Sequence, residues 1–281
     1  MLWQRALTAI IGIPLGLLIV YLGGWWLAAA VALLALLGLA ELYRLTAARS
    51  LKAYVWLGYP LALLSVALPA LRPANSTSWQ IELPVLCLGL LALLVWAVIL
   101  FPGESGGRLL ATIVGVGYVA HLLSYLLRLR NLAAPPLQLG RSGVLLDFGA
   151  LSLAGVLVIC WGMDTAAYAI GKTIGRHKLC PNLSPGKTIE GALAALLAAT
   201  LLSVGLLKLM GLPAMYGLWL GLILGIAGQL GDLFESLLKR RAGVKDSGAL
   251  LPGHGGVLDR FDSLLINAPA AFFYLRITLG L

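Results

Sequence analysis

The polar residues best suited to chemistry lie near the carboxyl end of the chain. Asp232, Glu235, Ser236 and Lys239 follow the i, i+3, i+4, i+7 spacing of one helix face, at the end of an apolar run. Ionised side chains at membrane depth are costly unless they are paired or serve a site. Two interpretations fit. Either these residues mark the point where a helix leaves the membrane, or they present two carboxylates, a hydroxyl and an ammonium to a substrate.

The next segment combines basic residues, glycines and aspartates. Glycines on both sides of His254 allow backbone N–H groups to approach phosphate oxygens, while lysines and arginines supply counter-charge. We favour phosphate contact or loop ordering over metal ligation for His254, whose role stays open. Asp259 and Asp262, three residues apart, form a second carboxylate pair. Two such pairs facing each other would provide oxygen ligands for Mg²⁺. Such a site suits phosphoryl transfer with pyrophosphate as the leaving group.

Two earlier segments are less specific. Ser184 and Lys187 belong to the stretch Ser-Pro-Gly-Lys-Thr-Ile-Glu-Gly, which fits a phosphate contact but also an ordinary helix start with a topology charge. Asp164 lies inside an apolar run, so it needs a partner such as Lys172, Lys187 or a metal-bound water. The spacing does not match a Walker P-loop.

The elements that position these residues are membrane helices. Hydrophobic residues make up 60% of the 281-residue chain and charged residues only 11%, which exceeds what one water-soluble core requires. Apolar runs near the roughly 20 residues of a bilayer crossing predict about nine helices. We therefore predict an all-α polytopic integral membrane protein, with N-terminal scaffold helices over 1–145 and a C-terminal catalytic region over 146–281. The predicted crossings are 7–23, 25–43, 53–71, 84–101, 109–127, 148–171, 188–210, 213–234 and 262–280.

The basic residues indicate topology rather than nucleic-acid binding, because the net charge of +9 comes from short loops between apolar runs. With nine crossings, 14 of the 20 lysines and arginines share the side of the N-terminus, and 6 lie on the other side. This bias predicts that the N-terminus and the site face the cytosol. We expect a multi-pass protein of the cell inner (cytoplasmic) membrane. The three cysteines are far apart and suggest neither a disulfide framework nor a zinc site.

The stretch from Ser236 to Asp262 resembles the signature of the phosphatidate cytidylyltransferase family, also called CDP-diacylglycerol synthases. That signature runs Ser-x-x-Lys-Arg, four residues, Lys-Asp-x-Gly, then Pro-x-His-Gly-Gly-x-x-Asp-Arg-x-Asp, and the chain matches every fixed position. The segment Ser-Pro-x-Lys-Thr at 184–188 is also similar to the family, although Gly186 stands where relatives often have lysine. The similarity is strongest over about 160–280.

The resemblance implies an all-helical membrane enzyme that joins CTP to phosphatidic acid, giving CDP-diacylglycerol and pyrophosphate. It implies Mg²⁺ as cofactor, with K⁺ as a second cation in some members, and a homodimer. By the same resemblance, Asp232 and Asp259 are the leading metal ligands. The catalytic residues it implies are Asp232, Ser236, Lys239, Asp259 and Asp262. The substrate-binding residues it implies are Ser184, Lys187, Arg240, Lys245, Asp246, His254, Gly255, Gly256 and Arg260.

Three other functions compete with this interpretation. Intramembrane carboxylates such as Asp164, Asp232 and Glu235 also couple ions to solute movement in secondary transporters, but transporter sites gather near the bilayer midplane. A lipid-linked phosphotransferase with another nucleotide or acceptor would share the metal chemistry. A purely structural membrane scaffold would leave the acidic cluster unexplained.

Overall fold

The computed structural model describes residues 2–48, 51–71, 105–133, 137–139, 144–248 and 255–280. Within these ranges the protein is all-helical, with eight helices and two short hairpins. The fourth predicted crossing, 84–101, lies outside the described residues, and the other eight predicted runs each correspond to a helix. The helices are α1 (Leu2–Leu22), α2 (Gly24–Ala47), α3 (Val55–Ala70), α4 (Ser105–Gly115, Val116–His121 and Leu122–Arg130 in succession), α5 (Phe148–Thr173), α6 (Ile189–Leu209), α7 (Ala214–Arg241) and α8 (Leu258–Leu279).

Five of the described helices, α2 and α4 to α7, are long and apolar enough to cross a membrane by length and composition. Their outer faces support that assignment. On α6, Leu193, Leu197 and Leu201 form a stripe at i, i+4 spacing whose exposed fractions are 62%, 60% and 63%. A leucine stripe this exposed is unfavourable in water and suits lipid, so we describe the protein as a multi-pass membrane protein.

Polar side chains at the helix ends show why several helices begin or end where they do. The Asp147 carboxylate accepts a hydrogen bond from the Ala150 N–H at the start of α5, and the Thr188 hydroxyl accepts one from the Gly191 N–H at the start of α6. The last turn of α7 carries three basic residues in succession, which offset the negative end of the helix dipole.

The middle segment of α4, Val116–His121, has π-helical geometry.

Two short hairpins, which the sequence did not lead us to expect, flank α5. Strands β1 (Leu137–Leu139) and β2 (Val144–Leu146) pair antiparallel before α5. Strands β3 (Lys178–Cys180) and β4 (Ser184–Thr188) pair antiparallel between α5 and α6. Strand β4 of the second hairpin contains the whole Ser-Pro-Gly-Lys-Thr segment, directly before α6.

In the core, α7 lies between α6 and α8, and α5 packs on α6. Small residues allow close contact: a Cβ atom on Gly217 of α7 would lie 2.5 Å from the Val204 Cα atom of α6. A Cβ atom on Gly231 would lie 2.7 Å from the Asp262 carbonyl oxygen of α8. Helix α4 also packs against α5 and α8, so the predicted regions 1–145 and 146–281 share one core. Their division into scaffold and catalytic region stays a prediction.

Candidate active site

The polar stripe predicted on one helix face lies on α7 and faces two environments. The Glu235 side chain is fully buried, and the Lys239 ammonium lies 3.1 Å from its Oε1 atom. The Asp232 side chain, one turn earlier, is 35% exposed. The stripe is therefore more than the end of a membrane helix: its carboxylates divide between the protein interior and an accessible surface.

A buried ion pair joins α7 to the first turn of α8. The Lys239 Nζ atom lies 2.5 Å from Asp259 Oδ1. The other carboxylate oxygen of Asp259 accepts hydrogen bonds from the Gly256 N–H at 2.8 Å, the Ser247 N–H at 2.8 Å and the Ser247 hydroxyl at 3.0 Å. Burial opposes ionisation of Asp259, but the Lys239 ammonium and the Gly256 and Ser247 N–H groups outweigh it. The pKa of this carboxyl is therefore lowered from its ordinary value.

The β3–β4 hairpin brings a second lysine to the opposite side. The Lys187 Nζ atom of β4 lies 2.5 Å from Asp232 Oδ2 of α7. The side chains are 26% and 35% exposed, so this pair remains accessible to solvent. Lys187 and Asp232, 45 positions apart in sequence, thus meet at one place.

A cavity of about 550 Å³ lies beside these ion pairs. Its lining includes Asp164, which is within electrostatic reach of Asp232, Lys187 and Arg260. The intramembrane carboxylate that lacked a partner in the sequence therefore belongs to the same site. Among the predicted site residues, five line the cavity: Lys187, Asp232, Asp259, Arg260 and Asp262.

Other predicted site residues lie beside the cavity or away from it. Arg240 donates hydrogen bonds to the carbonyl oxygens of Leu183 and Val244, which ties the end of α7 to the hairpin. The side chains of Lys245 and Asp246 are exposed. Ser184, at the start of β4, and Ser236, on α7, are half-buried. His254 lies outside the described residues.

The predicted phosphate loop has an internal hydrogen bond that the sequence did not reveal. Gly255 has a φ of +80°, in the left-handed region that favours glycine. The N–H of Gly256 donates to Asp259, so in this conformation it binds a side chain of the protein. The loop therefore orders a carboxylate, and phosphate contact by its glycines stays a prediction.

The residues around the cavity fit a hard divalent cation in part. Four aspartates, Asp164, Asp232, Asp259 and Asp262, offer oxygen ligands, the type that Mg²⁺ prefers. Within the described ranges, no group of three or more His, Cys, Asp or Glu side chains is close enough to hold a metal ion by itself. Mg²⁺ characteristically takes one or two carboxylates and completes its shell with water and substrate phosphates, so this arrangement is compatible with it.

A second, apolar cavity of about 630 Å³ adjoins the first. Its walls come mainly from apolar side chains of α1, α2, α4, α5 and α8. Asp164 and Arg260 line both cavities. The site therefore has a charged compartment and an apolar compartment that meet at an aspartate and an arginine.

One buried residue near the site was not predicted. The Glu41 side chain of α2 accepts hydrogen bonds from the N–H groups of Val257 and Leu258, where α8 begins. Its position inside an apolar run was a usable signal, since the same reasoning drew attention to Asp164. The sequence could not reveal its partners, which lie more than 200 residues away.

The chain is similar over most of its length to known proteins of one family. The chain is 35% identical to a phosphatidate cytidylyltransferase of Synechocystis, over 98% of this chain and 97% of the relative. It is 36% identical to a phosphatidate cytidylyltransferase of Staphylococcus haemolyticus, over 94% and 95% of the two chains. A Bacillus subtilis protein of the same name is 39% identical over 57% of this chain and 55% of its own. The model of the cytidylyltransferase family matches residues 3–278, and the chain therefore belongs to that family.

Proposed function

We propose that this protein is a phosphatidate cytidylyltransferase, which transfers CMP from CTP to phosphatidic acid and releases pyrophosphate, in phospholipid biosynthesis. The observation that carries the proposal is the meeting of the two cavities at Asp164 and Arg260. A reaction between a polyphosphate nucleotide and a lipid phosphate needs a charged compartment beside an apolar one. The relatives that match nearly the full chain carry this activity in their names.

The charged cavity is the proposed CTP site. Lys187 and Arg260 line it from β4 and α8 and supply positive charge for phosphate oxygens. Lys239 is buried between Glu235 and Asp259, so we assign it to ordering the site rather than to direct contact with CTP. The proposed roles of Ser184, Ser236, Lys245 and Asp246 rest on the family resemblance.

The apolar cavity is the proposed entry for the acyl chains of phosphatidic acid from the cytosolic leaflet. Arg260, at the junction, would face the lipid phosphate, because a charged headgroup must stay at the polar end while its chains remain in apolar surroundings. A phosphate oxygen of the lipid would then attack the α-phosphorus of CTP in line. A new P–O bond forms, and the bond to the bridging oxygen of the β-phosphate breaks.

Asp232 is the proposed principal ligand of Mg²⁺, with Asp259, Asp262 and Asp164 around it. When bound, Mg²⁺ would neutralise charge on the phosphates and on the departing pyrophosphate. Lys187 pairs with the Asp232 carboxylate at the wall of the cavity. We also propose K⁺ as a second cation, and a homodimer, by the family resemblance.

The proposed setting is the cytoplasmic membrane, with nine crossings and the site at the cytosolic face. This topology supports the proposal because CTP is soluble in water and must reach the charged cavity from the cytosol. The 14-to-6 distribution of basic residues favours the same orientation independently of the site.

The test is an assay of purified protein in detergent with phosphatidic acid, labelled CTP and Mg²⁺. We expect a labelled CDP-lipid and one pyrophosphate per turnover, and no product when diacylglycerol replaces phosphatidic acid or when a chelator removes Mg²⁺. A folded preparation that forms no CDP-lipid would contradict the proposal. Solute flux in liposomes made with that preparation would favour the transporter instead.

A further inference from the structure

We infer that Glu41 of α2 is a positioning residue for the active site, acting through Ser247 and Asp259; the inference rests on the proposed function for its activity measurements. The Glu41 side chain is 4% exposed although it lies in the predicted scaffold region. A carboxylate this buried is costly unless donors compensate for the lost water. The identity of its donors therefore indicates what the residue does.

The three donors described for Glu41 all belong to the segment that leads into α8. Glu41 Oε1 accepts from the Val257 N–H at 2.8 Å, and Oε2 accepts from the Leu258 N–H at 2.9 Å. The Ser247 hydroxyl lies 2.8 Å from Oε2. The first N–H groups of a helix have no partner within the helix, so Glu41 acts as a cap supplied by a distant part of the chain.

Ser247 connects this cap to the site. Its hydroxyl lies 2.8 Å from Glu41 Oε2 and 3.0 Å from Asp259 Oδ2, and a hydroxyl carries one proton to donate. Both carboxylates therefore depend on the same donor. Asp259 in turn pairs with Lys239, so the connection continues from α2 through the loop to α7.

Two glycines of the loop leave room for Glu41. A Cβ atom on Gly248 would lie 2.6 Å from Glu41 Oε1, and one on Gly256 would lie 2.6 Å from Glu41 Cδ. Both distances are shorter than side chains tolerate. Gly256, which the sequence suggested was phosphate-binding, and Gly248 are thus required at least for the approach of this carboxylate to the loop.

The geometry fits a carboxylate and not its amide. In Glu41→Gln the side chain keeps its length, but its NH₂ group must face either the Val257 N–H or the Leu258 N–H and the Ser247 hydroxyl. One donor would then point at another, and the first turn of α8, which carries Asp259, would shift. Loss of a partner that orients a ligand residue typically lowers activity by about 10- to 100-fold.

The experiment compares Glu41→Gln with Asp147→Asn, a matched control. Asp147 is also a carboxylate that caps a helix, but it lies about 25 Å along α5 from Asp164 at 1.5 Å per residue. We expect Glu41→Gln to lower kcat about 10- to 100-fold per folded molecule, with KM for CTP changed less than about threefold. We expect Asp147→Asn to lower the thermal stability and leave kcat unchanged.

A double-mutant cycle with Ser247→Ala tests the connection. If Glu41 acts through Ser247, Ser247→Ala also lowers kcat. The kcat of the double variant is then no lower than that of the less active single variant. Fully multiplicative effects, or a normal kcat in Glu41→Gln, would overturn the inference. If Glu41→Gln does not fold, Ser247→Ala keeps both backbone hydrogen bonds of Glu41, and a normal kcat in that variant would overturn the inference by itself.

Hydrogen–deuterium exchange gives a measurement that does not depend on the reaction. We expect Glu41→Gln to speed exchange in the peptide covering 255–262, and Asp147→Asn to leave that peptide unchanged. An unchanged exchange rate of this peptide in Glu41→Gln would contradict the inference that Glu41 caps the start of α8. If the wild-type protein formed no CDP-lipid, the proposed function would fail, and faster exchange in Glu41→Gln would still establish the contact.

Discussion

The two sides of the charged cavity hold carboxylates with similar sequence surroundings and different environments. On the open side, Asp232 is 35% exposed and pairs with Lys187 of the hairpin. On the packed side, Asp259 is 7% exposed and receives bonds from Lys239, Ser247 and Gly256. A carboxylate with four donor contacts has little capacity left for a cation, whereas Asp232 contacts Lys187 through one oxygen, and no contact of its other oxygen is seen among the described residues. We therefore propose that a metal ion binds mainly on the open side, and that the packed side mainly orders the site.

Replacement of Asp232 should have the largest effect on catalysis. We expect Asp232→Asn to lower CTP-dependent pyrophosphate release by about 10³-fold, because the amide cannot supply the anionic ligand. The free energy of unfolding should change by less than about 1 kcal/mol, because the lost ion pair is partly solvated. A labelled-CTP assay and thermal unfolding in detergent would measure the two quantities. Normal turnover would exclude Asp232 as a required ligand.

Replacement of Asp259 should lower both the catalytic activity and the free energy of unfolding. In Asp259→Asn the amide keeps one acceptor oxygen, so either Lys239 or the donors from Ser247 and Gly256 lose their partner. Removal of one member of a buried ion pair costs about 3–5 kcal/mol. We expect a fall of that size in unfolding free energy together with loss of activity. Wild-type stability in this variant would show that the packed side does not order the site.

The sequence could predict the helices and the charged cluster because both depend on local patterns. Apolar runs of bilayer length predicted the eight described helices, and the i, i+3, i+7 spacing predicted that Asp232, Glu235 and Lys239 lie on one helix. The wider site was partly predictable, since five of the expected residues line one cavity.

The remainder depends on contacts between distant segments. The spacing on α7 predicted that Glu235 and Asp232 share one helix face. In the structure the Glu235 side chain is fully buried, whereas Asp232 is 35% exposed. The bonds from Glu41 to Val257 and Leu258 join residues more than 200 positions apart, and no local pattern encodes such a pairing. Asp259 and Asp232 looked equivalent in the sequence, because spacing alone does not show that Lys239, Ser247 and Gly256 donate to Asp259.

Acid should weaken the packed side through Asp259. Its pKa in the folded protein is lowered, so its contribution to stability is complete above the unfolded pKa of about 4 and is lost as the pH falls through the folded value. We therefore expect the difference in unfolding free energy between wild type and Asp259→Asn to be constant from pH 6 to 8. The difference should shrink below about pH 4. A difference that grew on acidification would contradict the assigned direction.

Replacement of Lys187 should mainly lower activity and replacement of Lys239 should mainly lower stability, as for the carboxylates with which they pair. Lys187→Met removes a positive charge from the cavity, so we expect kcat/KM for CTP to fall by about 10-fold, with a change in unfolding free energy below about 1 kcal/mol. Lys239→Met leaves Glu235 and Asp259 buried without their shared cation, and we expect a loss of about 3–5 kcal/mol. Equal stability losses in the two variants would remove the distinction between open and packed sides.

The smallest effect should come from the contact between His177 and Glu190 at the open end of the hairpin, where β3 begins and α6 follows β4. His177 Nδ1 lies 2.7 Å from Glu190 Oε1, but the His177 side chain is 75% exposed. The His177 backbone N–H also bonds to Glu190, so His177→Gln keeps part of the contact that holds β3 to the start of α6. Exposed pairs contribute little, and we expect kcat/KM within about twofold of wild type. A loss as large as that of Lys187→Met would mean that the hairpin position, rather than the Lys187 charge, controls the open side.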